Sequence, residues 1–238
     1  MISALAMFFF FVFFGFLVAL VFIPWTLLTG NVSQLYIWAN RVVRIGVKLG
    51  GIRVVPVGLE NIPTNHACIF LSNHVSNLDP IVLLPLIPGR TSIFLKRSLM
   101  KIPILGYAMS LGKFIPVDRD GSIEAARQSV HNAQSVINSG LHITTFVEGT
   151  RSKDGRLLPF KKGPFFLAKE TGAICIPVTI LGTETMMKKG SLKVMPGEAK
   201  VVFHPAVNPA NYASREDLMT AVRESIASAL PVERRTTN

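Results

Sequence analysis

The residues of this chain best suited to acid–base chemistry are His74 and Asp79, which lie five positions apart. In a continuous α-helix, side chains with that spacing point about 140° apart and do not meet. Pro80 follows directly and predicts a turn, with Asp79 as the N-cap of a helix from Pro80 to Leu86. One carboxylate oxygen then caps the helix and the other holds the imidazole, whose free nitrogen accepts a proton. The spacing alone also fits a structural pair, so the neighbouring loops decide between the two interpretations.

Two more polar turns follow predicted strands. One is Asp118-Arg119-Asp120 and the other is Glu148-Gly149-Thr150-Arg151-Ser152. Ligands of parallel sheets gather at the loops that leave the carboxyl ends of the strands. If the strands are parallel neighbours, both turns therefore face the same cleft as His74.

The chemistry of these turns suits a phosphate group. Gly149 allows close approach of the backbone or a positive φ, while Thr150 and Arg151 offer a hydroxyl and a fork of donors. Arg119 is expected to supply a second clamp. The structural alternatives are a surface charge turn at 118–120 and a helix-like ion pair between Glu148 and Arg151.

Several catalytic classes lack their sequence signatures here. The chain contains no GxSxG elbow, GxxxxGK[ST] loop, HExxH or GxGxxG sequence, which argues against serine hydrolases, P-loop proteins, zincins and Rossmann enzymes. Ser76 lies close to His74 but has no elbow or evident oxyanion loop. We therefore expect the nucleophile to come from a substrate, with no metal involved.

The elements that must position these residues begin after Gly50-Gly51. Short β-branched runs alternate with helical stretches, which predicts an α/β domain with a mixed, largely parallel sheet flanked by helices. The predicted strands are Ile52 to Val57, Ala67 to Ser72, Thr91 to Lys96, Lys113 to Val117, Ile143 to Val147, Ala173 to Ile180, Leu192 to Met195 and Lys200 to Phe203. The predicted helices are Pro80 to Leu86, Ser98 to Ser110, Ser122 to Asn138, Pro164 to Glu170 and Ser214 to Ala229.

We predict two units in the chain. Residues 1–50 form a membrane-attaching segment of two helices, and residues 51–238 form the α/β domain. No Lys, Arg, Asp or Glu occurs from Met1 to Asn40, and Ile2 to Leu28 is long enough to cross a hydrocarbon layer of roughly 30 Å. Without a basic n-region or a small-residue cleavage site, we expect the segment to be retained. The alternative is a buried helix of a soluble protein.

The apolar run is expected to break at Pro24-Trp25 and at Gly30-Asn31, before a second helix at Ser33 to Leu49. Arg41, Arg44 and Lys48 form one face of that helix, which suits the level of the lipid headgroups. Two topologies remain open: a first helix that spans the bilayer, or a two-helix hairpin embedded in one leaflet. In both, we expect the body at the cytoplasmic face, which is the inner membrane if the source is bacterial.

The net charge of +11 arises wholly from residues 41 to 238. An anionic partner is expected, and anionic membrane lipid is favoured over nucleic acid because no nucleic-acid-binding signature is visible. The two cysteines, Cys68 and Cys175, lie in apolar strand-like runs and indicate buried thiols in a reducing compartment.

Together these features resemble the glycerolipid acyltransferase family, closest to its 1-acylglycerol-3-phosphate acyltransferases. The resemblance covers about Leu71 to Ile180 and is specific through the order and separation of its blocks. Val147 replaces the proline common before the Glu-Gly-Thr-Arg sequence of the third block, and the second block is a variant form; both departures bear more on acceptor specificity than on membership. The four blocks are Asn73-His74 to Asp79, Gly112 with Phe114 to Arg119, Phe146 to Ser152, and Ile176 to Val178.

The resemblance implies roles for these residues. His74 is the general base that takes the proton from the free hydroxyl of lysophosphatidic acid, and Asp79 orients it. The hydroxyl attacks an acyl thioester of coenzyme A or of acyl carrier protein, a co-substrate, and no cofactor is needed. The acceptor's glycerol phosphate is assigned to Arg119, Glu148, Gly149, Thr150 and Arg151, with Lys161 and Lys162 as weaker candidates that also fit a solvated basic face.

Two alternatives remain open. The first is an acyltransferase for another lyso acceptor or for glycerol 3-phosphate. The second, from a different class, is a non-catalytic membrane protein that binds anionic lipid. The intact His74 and Asp79 favour an enzyme.

Overall fold

The computed structural model describes residues 4–117, 123–187 and 193–235. In this part of the chain, seven strands form one sheet in the order β1-β7-β6-β2-β5-β3-β4, and only the β6–β7 pair is antiparallel. The mixed, largely parallel α/β fold predicted from the sequence is confirmed. The strands are β1 Ile52–Val57, β2 Cys68–Ser72, β3 Thr91–Lys96, β4 Ile115–Val117, β5 His142–Phe146, β6 Ile174–Leu181 and β7 Gly197–Phe203.

Helices cover both faces of the sheet, and each face has its own apolar core. Cys68 and Phe70 of β2 belong to one cluster, whereas Ile69 and Leu71 belong to the other. This division follows from the alternation of side chains along a strand. The helices are α1 Ala4–Thr29, α2 Ser33–Leu49, α3 Asp79–Leu83, α4 Leu105–Leu111, α5 Ile123–Asn138, α6 Gly163–Thr171, α7 Thr183–Met186 and α8 Arg215–Ser228.

Two predicted elements differ from the structure. Residues 193–195 form no strand, and Leu192 lies outside the described residues. The helix expected over Ser98 to Ser110 is divided into a 3₁₀ turn, Arg97–Lys101, and α4. The division falls at Pro103-Ile104, because Pro103 has no amide hydrogen and Ile104 takes a φ of 63°.

The first two helices form an antiparallel hairpin. Met7 contacts Gly50, the Phe11 ring lies against Gly46, and Phe22 stacks on Trp38 with ring centroids 5.7 Å apart. The close approach of Phe11 needs a residue without a side chain. Gly46 therefore sets how tightly the two helices pack.

The break expected at Pro24 is wrong, because α1 continues through Pro24 to Thr29. A proline removes one amide hydrogen bond, and a long apolar helix continues past it because its other backbone groups still pair within the helix. By length and composition, α1 is the one helix of the described part that could cross a membrane. Its exposed side chains are large and apolar, including Phe8, Phe9 and Phe13.

The hairpin is attached to the body along the whole of α2. Near its start, the Tyr36 hydroxyl accepts a 3.1 Å hydrogen bond from the Thr91 amide of β3. Further along, the Arg44 guanidinium donates to the Pro85 carbonyl oxygen. Val47 and Met7 complete one of the two cores. Consequently α1 forms an outer layer over α2; the domain boundary near residue 50 remains a prediction.

Candidate active site

The loop that carries His74 follows the carboxyl end of β2 and is fixed by hydrogen bonds to a neighbouring strand. The Asn73 side-chain amide donates to the Ile180 carbonyl oxygen at 3.0 Å, and its oxygen accepts from the Ile180 amide at 2.8 Å. This pair of hydrogen bonds fixes the loop to β6, the parallel neighbour of β2. The direction of the following residues is thereby set.

The Asp79 carboxylate is fully buried and organises the turn. Its Oδ2 accepts from His74 Nδ1 at 2.7 Å and from the amides of Val75 and Ser76 at 2.7 and 2.8 Å. Its Oδ1 accepts from the Thr183 hydroxyl at 2.5 Å. Because the Asp79 carboxylate accepts a hydrogen bond from Nδ1, that nitrogen carries the proton, and Nε2 is left as a proton acceptor.

The prediction that His74 and Asp79 meet across a turn is confirmed, but the predicted cap is wrong. Asp79 is the first residue of α3, and its two oxygens bond to groups before the helix and to Thr183. The α-helix ends at Leu83 and continues as a 3₁₀ turn, Leu84–Leu86. Pro85 explains this end, since it has no amide hydrogen for the Ile81 carbonyl.

The imidazole of His74 lies flat on Phe146. The ring centroids are 4.1 Å apart and the planes differ by 21°. Phe146 is the last residue of β5 and pairs with Ser72 at the end of β2. The register of these two strands therefore holds the ring in place and leaves His74 only 9% exposed.

The Glu148 carboxylate links two loops through hydrogen bonds to their backbone amides. Its Oε1 accepts from the His74 amide at 2.7 Å, and its Oε2 accepts from the Leu158 amide at 2.9 Å. Burial raises the pKa of this carboxyl to about 7, partly offset by the two amide hydrogen bonds. A direct contact of Glu148 with substrate stays a prediction.

The turn after β5 lies beside the His74 loop, since the Ser152 amide donates to the His74 carbonyl oxygen at 2.8 Å. Gly149 takes a φ of 67°, a value that favours glycine. A Cβ there would lie 3.1 Å from Cγ of Lys161, so the aliphatic part of Lys161 covers this turn. Thr150 is exposed and Arg151 is half-buried.

Among the predicted site residues, the structure thus brings together His74, Asp79, Glu148, Gly149 and Lys161. Arg119 lies outside the described residues. Ser76, considered as a nucleophile, donates its hydroxyl hydrogen to the Met187 carbonyl oxygen at 2.8 Å. That bond gives Ser76 a structural role in the turn.

Thr183 was missed by the sequence analysis. It follows the end of β6 and begins α7, directly after Gly182, which takes a φ of 91°. The rule that selected the other loops, a polar residue just past a strand end, also applies to Thr183. Its partner Asp79 is 104 residues away in the chain, so the bond itself had no local signal.

In the described ranges, no group of three or more His, Cys, Asp or Glu side chains is placed to hold a metal ion. Cys68 and Cys175 are buried as expected. Burial raises the pKa of the Cys68 thiol to about 11 and that of Cys175 to about 12. Both therefore stay protonated and unreactive at neutral pH.

A buried histidine–carboxylate pair at the carboxyl edge of a mixed sheet, with a basic turn beside it, defines a candidate acid–base site and matches what the family resemblance implies. The family model described as Acyltransferase matches residues 53–181. The chain belongs to this family, and the pair fits the His-x-x-x-x-Asp motif.

The relatives are acyltransferases of lipid synthesis by name. A "1-acyl-sn-glycerol-3-phosphate acyltransferase BAT2, chloroplastic" from Brassica napus is 36% identical over 177 residues, 73% of this chain and 49% of the relative. A 1-acyl-sn-glycerol-3-phosphate acyltransferase from Limnanthes douglasii is 33% identical over 193 residues, which are 81% of this chain and 67% of the relative. The chain spans about half the length of the chloroplastic relatives from Brassica napus and Arabidopsis thaliana.

One solved structure supports the fold over nearly the whole chain. It is the 1-acyl-sn-glycerophosphate (LPA) acyltransferase PlsC from Thermotoga maritima, with a TM-score of 0.75 and 24% identity. The similarity covers 94% of both chains. It therefore includes the hairpin as well as the sheet.

Proposed function

We propose that this protein transfers a fatty acyl group from an acyl thioester to the free sn-2 hydroxyl of lysophosphatidic acid and forms phosphatidic acid. The observation that carries the proposal is the buried His74–Asp79 pair, 2.7 Å apart, in a member of the acyltransferase family. The names of the relatives support lysophosphatidic acid as the acceptor.

In the proposed reaction, the acceptor oxygen bonds to the thioester carbonyl carbon while its proton passes to Nε2 of His74. Collapse of the tetrahedral intermediate breaks the carbon–sulfur bond, and the imidazolium returns the proton to the departing thiolate. Asp79 stabilises the imidazolium and holds the tautomer that makes Nε2 the acceptor. The products are an ester and a free thiol, and no acyl-enzyme is formed.

The phosphate of the acceptor is assigned to the turn beside the His74 loop. Arg151 and Thr150 supply a guanidinium and a hydroxyl, and Gly149 brings the backbone close. Lys161, whose stem lies on Gly149, adds a cation. Arg119 is retained as a second clamp on the strength of the family resemblance. The acyl carrier is coenzyme A or acyl carrier protein.

The protein is proposed to work on the membrane, with the hairpin embedded in one leaflet. The argument is geometric. Because α2 contacts the body at both ends and α1 packs along α2, an α1 that spanned the bilayer would draw the polar body into the hydrocarbon. An α1 that lies in one leaflet leaves the body in water at the cytoplasmic face, next to its lipid substrates.

The test uses purified full-length protein in vesicles with a labelled acyl thioester, as coenzyme A or carrier-protein derivative. The acceptors are lysophosphatidic acid, glycerol 3-phosphate, lysophospholipids with larger headgroups and a lyso-aminolipid. We expect phosphatidic acid as the main product, and a fall in kcat of about 10²–10⁴-fold for His74→Ala.

The matched control is His66→Ala, a histidine near the opposite end of β2 with an exposed side chain. Its rate should equal that of the wild type. Unchanged transfer in His74→Ala would remove this residue as the base. Lipid binding without transfer to any acceptor would favour the non-catalytic class.

A further inference from the structure

Large apolar side chains are also exposed in a group outside α1. Five residues between 99 and 107, each 38% to 48% exposed, lie on the 3₁₀ turn Arg97–Lys101, the bend after it and the start of α4. We call this group the apolar knuckle. It consists of Leu99, Ile102, Ile104, Leu105 and Tyr107.

The backbone conformation of the knuckle keeps its side chains exposed. The Leu105 amide donates to the Pro103 carbonyl oxygen at 2.6 Å, and this γ-turn holds Ile104 at a φ of 63°. A β-branched residue in that region is rare and costs free energy. Behind the turn, Gly106 packs so closely on the Met100 carbonyl that a Cβ would collide with it. The fold therefore holds these side chains outward in a defined shape.

The chain segment that carries the knuckle has charges of one sign. From Pro80 to Val117 the chain has no Asp or Glu and carries five cations, Arg90, Lys96, Arg97, Lys101 and Lys113. Lys96 lies shortly before the knuckle and Lys101 between its residues Leu99 and Ile102, and both are exposed. Apolar side chains with lysines at their border match a membrane surface that carries anionic lipid.

The position of the knuckle favours the same partner. It begins where β3 ends, which is the sheet edge of the His74 and Glu148 loops because β3, β5 and β2 are parallel. It also continues the membrane-facing surface of the hairpin, since α4 lies against α1. This continuity favours a lipid surface over a separate protein partner.

We propose that the apolar knuckle is a second membrane-attachment element, which inserts below the headgroups of an anionic lipid surface. The inference rests on the proposed attachment of the hairpin to one leaflet. Lys96 and Lys101 then meet lipid phosphates. With two attachment elements instead of one, the body cannot rotate about α1, and the sheet edge with His74 is held towards the lipid acceptor.

Site-specific fluorescence tests this in the full-length protein. The native thiols of Cys68 and Cys175 are buried with raised pKa values, so cysteines introduced at exposed positions can be labelled selectively. Tyr107→Cys reports on the knuckle, Phe13→Cys on α1, and Val232→Cys, 73% exposed near the C-terminus, is the control. Each carries a polarity-sensitive dye and is mixed with vesicles of phosphatidylcholine and phosphatidylglycerol.

The proposal predicts a blue shift, and quenching by nitroxide lipids, at positions 107 and 13 but not at 232. Quenching at position 13 alone would contradict membrane insertion of the knuckle but would be consistent with attachment of the hairpin. Quenching at neither would overturn both. A dye at 107 that stays aqueous on vesicles and shifts only with acyl carrier protein would assign the surface to that acidic protein instead.

Vesicle partitioning gives an independent readout. The triple variant Ile102→Ser/Leu105→Ser/Tyr107→Ser should bind vesicles about tenfold more weakly or worse. Its control replaces three exposed apolar residues elsewhere, Leu59→Ser/Met195→Ser/Val232→Ser, and should bind like the wild type. Lys96→Gln and Lys101→Gln should each weaken binding about fivefold on anionic vesicles and far less on neutral ones. Equal losses in both triple variants would contradict the proposal.

Discussion

At the scale of single residues, the Asp79 carboxylate is saturated with hydrogen bonds. Oδ2 accepts hydrogen bonds from three donors and Oδ1 accepts one from the Thr183 hydroxyl, and the carboxylate is fully buried. Such a carboxylate cannot rotate without losing several partners at once. The imidazole of His74 is therefore held in one orientation before substrate binds, which lowers the entropic cost of the reaction.

Arg151→Ala tests the assignment of the phosphate turn. Loss of a charge-assisted hydrogen bond should raise the KM for lysophosphatidic acid by roughly 10- to 100-fold and change the KM for the thioester little. Arg156→Ala in the same loop is the control, because Arg156 pairs with Asp154 at 3.7 Å. Steady-state kinetics with each substrate varied in turn measures both constants. Equal increases in the two KM values would count against the assignment.

Glu148 makes stability depend on pH. Burial raises its pKa from 4.5 to about 7, so the folded state holds the proton more tightly than the unfolded state. Its contribution is fully present below about pH 4.5 and is lost as the pH rises through about 7, with a total of about 3 kcal/mol at most.

The Glu148→Gln variant should remove this slope. The substituted side chain has a single acceptor oxygen, so one of the two amides would be left without a partner, which lowers the free energy of unfolding at every pH. Chemical denaturation in detergent between pH 5 and pH 8 measures the difference between the two proteins. Burial lowers the pKa values of His142 and His204, and this contribution is the same in both proteins. Parallel pH profiles would show that Glu148 does not titrate in this range.

At the scale of elements, α7 is positioned by one glycine. Gly182 has a φ of 91°, and a Cβ there would collide with the Glu198 carbonyl oxygen of β7. Gly182→Ala should push α7 away from the sheet and withdraw the Thr183 hydroxyl from Asp79. We expect kcat to fall up to about 100-fold, because small displacements of positioning groups have effects of that size.

Gly140→Ala is the matched control for this prediction. Gly140 also has a positive φ, 81°, but a Cβ there has open space around it. Both variants carry the same backbone strain, so they should lose similar stability from that source. Activity assays with thermal denaturation separate the two effects. A fall in kcat of the same size in both variants would indicate general destabilisation.

The elements show what the sequence could predict. Short β-branched or aromatic runs located seven strands to within a few residues, because the composition of a strand is a local property. The contact between His74 and Asp79 was predictable for the same reason, through Pro80 and a turn of five residues. The bonds from Asn73 to Ile180 and from Thr183 to Asp79 depend on β6 lying next to β2. Strand order is a property of the whole sheet, and no local pattern encodes it.

At the scale of the whole molecule, the proposed attachment of the hairpin to one leaflet predicts which side of the membrane each terminus occupies. A hairpin in one leaflet places a tag before residue 4 and a tag after residue 235 on the same side. We expect protease added to inside-out vesicles to remove both tags, and protease added to right-side-out vesicles to remove neither. Removal of only one tag in each preparation would show that α1 spans the bilayer.

The two hydrogen bonds between Asn73 and Ile180 also bear on biosynthesis. Chains emerge from the ribosome amino end first, so α1 and α2 are available to lipid long before Ile180 and Thr183 have been made. With the hairpin attached to lipid as proposed, the nascent chain would reach the bilayer while its His74 turn still lacks two of its supports. Under the proposed function, the site would be completed beside its lipid substrate.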